Sequence, residues 1–241
     1  MSLTAPIGLV LPASFPDGLF EVVKNRIVPS VRNPSPEIDN LCGAHNGVRF
    51  RLRACVEYSD EFVNCVRQVG GGPSMESRYR QERQLFGFFV SGIAALESFN
   101  FFIHFAAAHL KPEAFPIQTP DDIRAISRKA TAEAFGKEFP GEALTVALNT
   151  LAKDSKLKEW LGVRNVLAHR AAPGRVVYAS MGLASPVPAP DWKIDPAGPI
   201  KIDENLTPPR LQWLVGTLAD LISATDPFTQ TYFGDFISRR S

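Results

Sequence analysis

MESRYRQERQLFGFFVSGIAALESFNFFIHFAAAHL, residues 75–110, decides how the rest of the chain is read. It opens polar and then turns almost wholly apolar, with Phe86, Phe89, Ile93, Leu96, Phe99, Phe102 and Phe105 falling on every side of a helix. A helix that is apolar all round is buried all round. The stretch is also long enough to cross a bilayer. Glu97, Asn100 and His104 speak against that, because an acid in mid-span costs ~2.5–3.5 kcal/mol on insertion scales. No second span exists to pair with it. The pattern therefore predicts a central core helix and no membrane partner. Its surplus of apolar surface predicts a second subunit packed against it as a homodimer.

The polar trio carries its own information. At ~100° per residue, His104 lies about 20° and Asn100 about 60° from Glu97, so all three share one sector. A carboxylate in an apolar sector needs a cation or must hold its proton.

Around this helix the chain reads as one all-α domain over 1–241, a helical bundle with an N-terminal arm over 1–34 and an insertion over 175–206. At 241 residues and 45% hydrophobic content it is long enough to bury a full core. Lys plus Arg (26) nearly equals Asp plus Glu (25), so no bulk basic field holds nucleic acid, and any RNA contact needs a local patch. The opening MSLTAPIGLVLPASFPDG has no basic start and is broken by prolines, unlike a signal peptide. Cys42, Cys55 and Cys65 are an odd number, which suits reduced thiols in the cytoplasm. With His45 they do not suggest zinc, since a helix would hold Cys55 and Cys65 ~15 Å apart. The basic run Arg49, Arg51, Arg53 reads as a solvated face, with Arg53 paired to Glu57 one turn on.

In chain order, a short helix is expected over residues 17–28. Ser35-Pro36-Glu37 starts a longer one, which keeps its period to the stop at Gly70-Gly71-Gly72. Asn46-Gly47 is a point of interruption, and residues 48–56 also alternate like a strand. After the central helix, Thr119-Pro120-Asp121-Asp122 opens a helix running to Gly136, and residues 142–153 form another. Val176-Val177-Tyr178 and Ile200-Lys201-Ile202 read as a small hairpin around a proline-rich loop that holds Trp192. Thr207-Pro208-Pro209 caps a last helix with Leu211, Leu214, Val215, Leu218 and Ile222 inward. The tail from Asp226 carries Phe228, Tyr232, Phe233 and Phe236 and docks on its own core or on a partner.

No glycine-rich phosphate loop, nucleophile elbow or metalloprotease motif is present. What remains is KLKEWLGVRNVLAHR, residues 156–170. As a helix it lines up Leu157, Trp160, Leu161, Leu167 and Ala168, with Arg164 inside that stripe. A guanidinium keeps its charge, so a buried one requires a partner, and Glu97 is the natural candidate. Asn165 and His169 lie one turn apart on a neighbouring face, His169 about 140° from Arg164. Read without a family, Arg164 snorkels at a helix contact and His169 caps the last turn.

Arg164, Asn165 and His169 resemble the signature of the HEPN superfamily: an arginine, a polar residue straight after it, and a histidine late in the same helix. The resemblance implies a dimeric helical bundle in which two copies of the motif meet across a two-fold axis. It also implies a metal-independent endoribonuclease, a hydrolase of toxin–antitoxin or defence systems, with no cofactor and no metal. In that family an acid on the preceding long helix often accompanies the pair, which fits Glu97, with Asn100 and His104 in support. As an RNase, His169 would move the proton of the 2′-hydroxyl or the leaving oxygen. Arg164 would hold the phosphate, and Asn165 would orient either group. The resemblance equally covers non-catalytic dimerisation or binding modules, and partners of an antitoxin or nucleotidyltransferase type. The family variant with a tyrosine directly before the histidine is absent, because that position is Ala168.

Overall fold

The computed structural model describes residues 9–30, 36–70, 74–169, 173–178, 188–194 and 198–234. Among them are eight α-helices and three short strands, so the chain is all-α with a small sheet before its last helix. The helices are α1 (Asp17–Ile27), α2 (Pro36–Val69), α3 (Met75–Leu110), α4 (Pro120–Ala125), α5 (Arg128–Glu138), α6 (Ala143–Lys153), α7 (Ser155–His169) and α8 (Pro208–Phe233). The strands are β1 (Arg175–Val176), β2 (Asp191–Ile194) and β3 (Gly198–Lys201). The backbone divides into two compact units, residues 1–51, 94–154 and 215–241 in the first and residues 52–93 and 155–214 in the second.

α2 runs unbroken through Asn46-Gly47 and through the stretch that alternates like a strand. Its inward residues Leu41, Val48, Leu52, Cys55, Phe62 and Val66 keep the helical period throughout. It ends at Gly70, whose φ of 69° only glycine adopts without strain. α3 is long and apolar enough to cross a membrane, yet 67% of its apolar window is buried inside the chain.

The first unit is built on aromatic packing. Phe20 of α1 meets His45 at 4.3 Å and Phe102 at 5.1 Å between ring centroids. Phe115, Phe135 and Phe228 are fully buried, and Phe135 touches both of the others. Each such ring contributes about 1.5–3 kcal/mol on burial. The helix expected from Thr119 to Gly136 is two helices. α4 opens on a capping box between Thr119 and Asp122, and α5 opens on Ser127, whose hydroxyl accepts from the Ala130 N–H. The second cap is what breaks the run. α8 also runs further than expected, through Pro227 to Phe233, so Phe228 and Phe233 dock on their own chain. Phe236 lies outside the described residues.

In the second unit, close approach shapes the helix surfaces. A methyl group on Gly87 would lie 2.5 Å from the Tyr58 ring, and one on Gly92 would lie 2.1 Å from Cζ3 of Trp160. The sheet corrects the expected hairpin. β1 and β3 do not pair with each other but flank β2, both antiparallel, with Trp192 opposite Arg175 on one side and Ile200 on the other. Trp192 is therefore a buried strand residue rather than part of a loop. Arg175 ties β1 to α3, its Nε donating to Oε1 of Glu82 at 2.8 Å and its Nη1 to Oε1 of Gln81 at 2.5 Å. Nη2 of Arg78 donates to the Pro173 carbonyl at 3.1 Å, just upstream. Ser59 on α2 donates to the Thr207 hydroxyl at 2.9 Å and fixes the start of α8.

Candidate active site

α7 carries the motif. Its inward residues are Leu157, Trp160 and Val163. The apolar face is thus turned from the expected one: Val163 joins it, Leu161 is half-buried and Ala168 is exposed. Periodicity sets a sector of the helix, but packing of the largest side chain sets its centre. That side chain is Trp160, whose ring lies 4.9 Å from Phe88, 5.1 Å from Phe89 and 5.9 Å from Trp213. Glu159, one residue earlier, accepts from Nε of Arg210 at 2.9 Å, and Nη1 of Arg210 donates to the Leu206 carbonyl at 2.7 Å. The first contact holds α7 to the first turn of α8, and the second fixes the Arg210 side chain against the turn that precedes it.

On this rigid helix Arg164 is half-buried, one turn beyond Trp160, and Asn165 is exposed beside it. His169 is the last residue of α7, one turn beyond Asn165; its side chain lies outside the described residues. Lys156 and Lys158 are exposed nearer the start. The helix therefore carries more cationic than anionic groups, its one acid, Glu159, being matched to Arg210. An exposed amide beside a guanidinium on a locked helix can orient and bind an oxyanion.

Glu97, Asn100 and His104 belong to the first unit, whereas Arg164, Asn165 and His169 belong to the second. Glu97 is half-buried, not sealed in the core, and lines a surface groove of about 350 Å³ with Arg51, Ser98 and Phe101. Arg51 closes one wall through hydrogen bonds to Ser98 and to the Ala94 carbonyl. Asn100 and His104 are buried and converge on Thr131 of α5. Nδ2 of Asn100 lies 3.3 Å and Nδ1 of His104 lies 3.0 Å from its hydroxyl. Burial pushes the His104 imidazole below its ordinary value, against a smaller opposing pull from the Pro116 carbonyl. Sequence reasoning missed Thr131 because a single threonine in a mixed helix carries no periodic signal.

Of the other candidates, His45 packs on Phe20, with Nε2 3.7 Å from Glu21. Burial, with Lys24 and Arg49 adding to it, lowers the His45 imidazole to about 4, against the pull of Glu21. Arg49 bridges Asp17 at 2.8 Å and Glu21 at 3.0 Å. Arg53 pairs with Glu57 at 2.5 Å, as its spacing predicted. Cys42, Cys55 and Cys65 are free thiols. No family model, curated protein or solved structure matches the chain.

Proposed function

We propose that the chain is a metal-independent endoribonuclease of the HEPN type, acting in the cytoplasm as a homodimer. The observation that carries this reading is the last two turns of α7. They hold Arg164 half-buried and Asn165 exposed, end on His169, and are anchored by Trp160 and Glu159. In the proposed reaction the 2′-oxygen of a ribose attacks the adjacent phosphorus, and the bond to the 5′-oxygen breaks. The products are a 2′,3′-cyclic phosphate and a 5′-hydroxyl. Imidazole is the side chain that ordinarily gains and loses a proton near neutrality, and His169 moves one of the two protons. The His169 of a second copy moves the other, which is why the reading includes a dimer. Arg164 binds the phosphate and stabilises the charge that grows on it, and Asn165 orients the phosphate or the imidazole. An antitoxin or a nucleotidyltransferase-type protein is the partner this reading implies.

Purified protein incubated with RNA in EDTA tests the proposal. Cleavage should leave cyclic or 3′-phosphate ends. His169→Ala should slow it by about 10²–10⁴-fold, the usual contribution of a general acid or base. Arg164→Lys should also fail, because an ammonium lacks the planar fork. Intact RNA, or a His169→Ala protein as fast as the parent, would refute the nuclease and leave a binding module.

A further inference from the structure

Within the second unit, the first half of α3 presents an unexpected face to solvent. Tyr79 is 60% exposed and Phe86 is 45% exposed. Seven residues apart on one helix, they stand about 10.5 Å from each other along the axis and roughly 20° apart around it. Arg83 lies between them, one turn beyond Tyr79. It is exposed and forms no ion pair among the described residues. Arg80 is exposed too, and its partner is Glu76 at 3.1 Å, with both side chains more than 60% exposed. Such a surface bridge is weak and screened, so a phosphate can take the place of Glu76. The other acid of this stretch, Glu82, is already engaged by Arg175 at 2.8 Å and by Arg78 at 3.8 Å. Two exposed rings are thus interleaved with two available guanidinium groups, on a chain whose net charge is only +1.

We propose that Tyr79, Arg80, Arg83 and Phe86 form a platform for single-stranded RNA, with bases stacking on the two rings and phosphates held by the two arginines. The choice of RNA over DNA rests on the ribonuclease reading; the platform itself rests on the exposed face. Rings that offer a flat surface to any base, beside cations that track a backbone, are the recurring means of holding single strands without reading sequence. A second copy of the chain fits this face less well. The midpoint of the Tyr79–Phe86 pair falls between Glu82 and Arg83, so antiparallel self-pairing would bring the two Arg83 groups together. Glu82, engaged with Arg175 and Arg78, is poorly placed to neutralise them. A polyanion meets no such penalty.

The test is fluorescence anisotropy of the full-length chain with a labelled single-stranded oligoribonucleotide whose 2′-hydroxyls are methylated, so that it cannot be cut. The same sequence as single-stranded DNA and as a duplex serves for comparison. Tyr79→Ala and Phe86→Ala should each weaken binding about tenfold while leaving its salt dependence unchanged. Arg83→Gln should reduce the slope of log affinity against log salt by about 0.7, the value of one single-strand phosphate contact. All four positions are on the surface, so unchanged melting curves should accompany these losses. The proposal is overturned if the parent does not bind, if duplex binds as well as single strand, or if the Tyr79→Ala/Phe86→Ala double variant keeps parental affinity. It is also overturned if that double variant turns a dimer into a monomer by light scattering, since the face then belongs to a second copy. Equal affinity for the DNA strand leaves the platform standing and removes its preference for RNA. A parent that binds but never cuts sinks the ribonuclease alone. A parent that cuts, with variants that bind and cut as it does, sinks the platform alone.

Discussion

Gly92 of α3 and Trp160 of α7 approach so closely that a methyl group on the glycine would lie 2.1 Å from Cζ3 of the indole. Alanine in mid-helix is normally better than glycine by about 1 kcal/mol. Here the Trp160 ring is buried among Phe88, Phe89 and Trp213 and cannot retreat. Gly92→Ala should therefore lose stability, by about 1–3 kcal/mol of overpacking partly offset by the helix gain. Gly216 of α8, exposed and with open space where a methyl group would project, is the control. Gly216→Ala should stabilise by about 0.4–1 kcal/mol. Thermal melts of the two variants should move in opposite directions. Because Arg164 sits one turn from Trp160, Gly92→Ala should also disturb any activity that Arg164 carries.

The Arg175–Glu82 pair makes a second prediction. Arg175 has only 2% of its side chain exposed and Glu82 has 15%. Arg175→Met should cost about 3–5 kcal/mol, because it leaves a carboxylate buried without its main cation. Adding Glu82→Gln should recover part of that loss. Burial already holds the Glu82 carboxyl above its ordinary value, with Arg175 as the largest opposing influence. Removing Arg175 should raise it further. A carboxyl raised in the folded state binds protons that the unfolded chain does not, so the Arg175→Met protein should regain stability as pH falls towards the ordinary carboxylate range. Urea midpoints at pH 7 and pH 5 would show it, and a loss that stays constant between them would count against the argument.

His45 predicts a pH dependence of the opposite sign. Burial lowers its imidazole to about 4 from an ordinary 6.5, so between these values the unfolded chain binds a proton that the folded chain refuses. Stability should fall as pH drops through that window, by up to about 1.4 kcal/mol per pH unit from this group. Glu21, Lys24 and Arg49 all face the ring, and Glu21 tempers the effect. His45→Phe should flatten the curve by His45's share, leaving that of His104, which burial lowers as well. Parallel curves for parent and variant would refute the assignment.

Much of the helical framework was legible in the sequence because its signals are local and repeated. α3 declares itself through its length and its all-round apolar pattern, and α8 through Pro208 at its first turn and its apolar stripe. Shorter features depend on contacts that periodicity does not encode. The break at Ser127 needs only one hydroxyl, and the run of apolar residues on either side conceals it. β2 has four residues in a proline-rich stretch, and its identity comes from the partners on either side, not from its own pattern. On α7 the spacing located the inward sector, but the Trp160 ring decided that Val163 and not Ala168 belongs to it. Glu97 shows the same limit in reverse. Its neighbours in the sequence are apolar, yet the groove beside Arg51 and Ser98 keeps it partly in water.

The meeting of Asn100 and His104 on Thr131 has a directional consequence. Nδ2 of Asn100 can only donate, so the Thr131 oxygen receives from it and still has one lone pair and one hydroxyl hydrogen, either of which can serve Nδ1 of His104. A hydroxyl that donates leaves the ring hydrogen on Nε2, and one that accepts takes it from Nδ1, so the neutral tautomer of His104 is tied to the way the Thr131 hydroxyl points. Nitrogen chemical shifts of the imidazole would report that choice. Serine at position 131 can preserve it, whereas valine, of nearly the same shape, cannot relay anything from Asn100 to His104. A side chain without charge thus couples the hydrogen positions of three residues between α3 and α5.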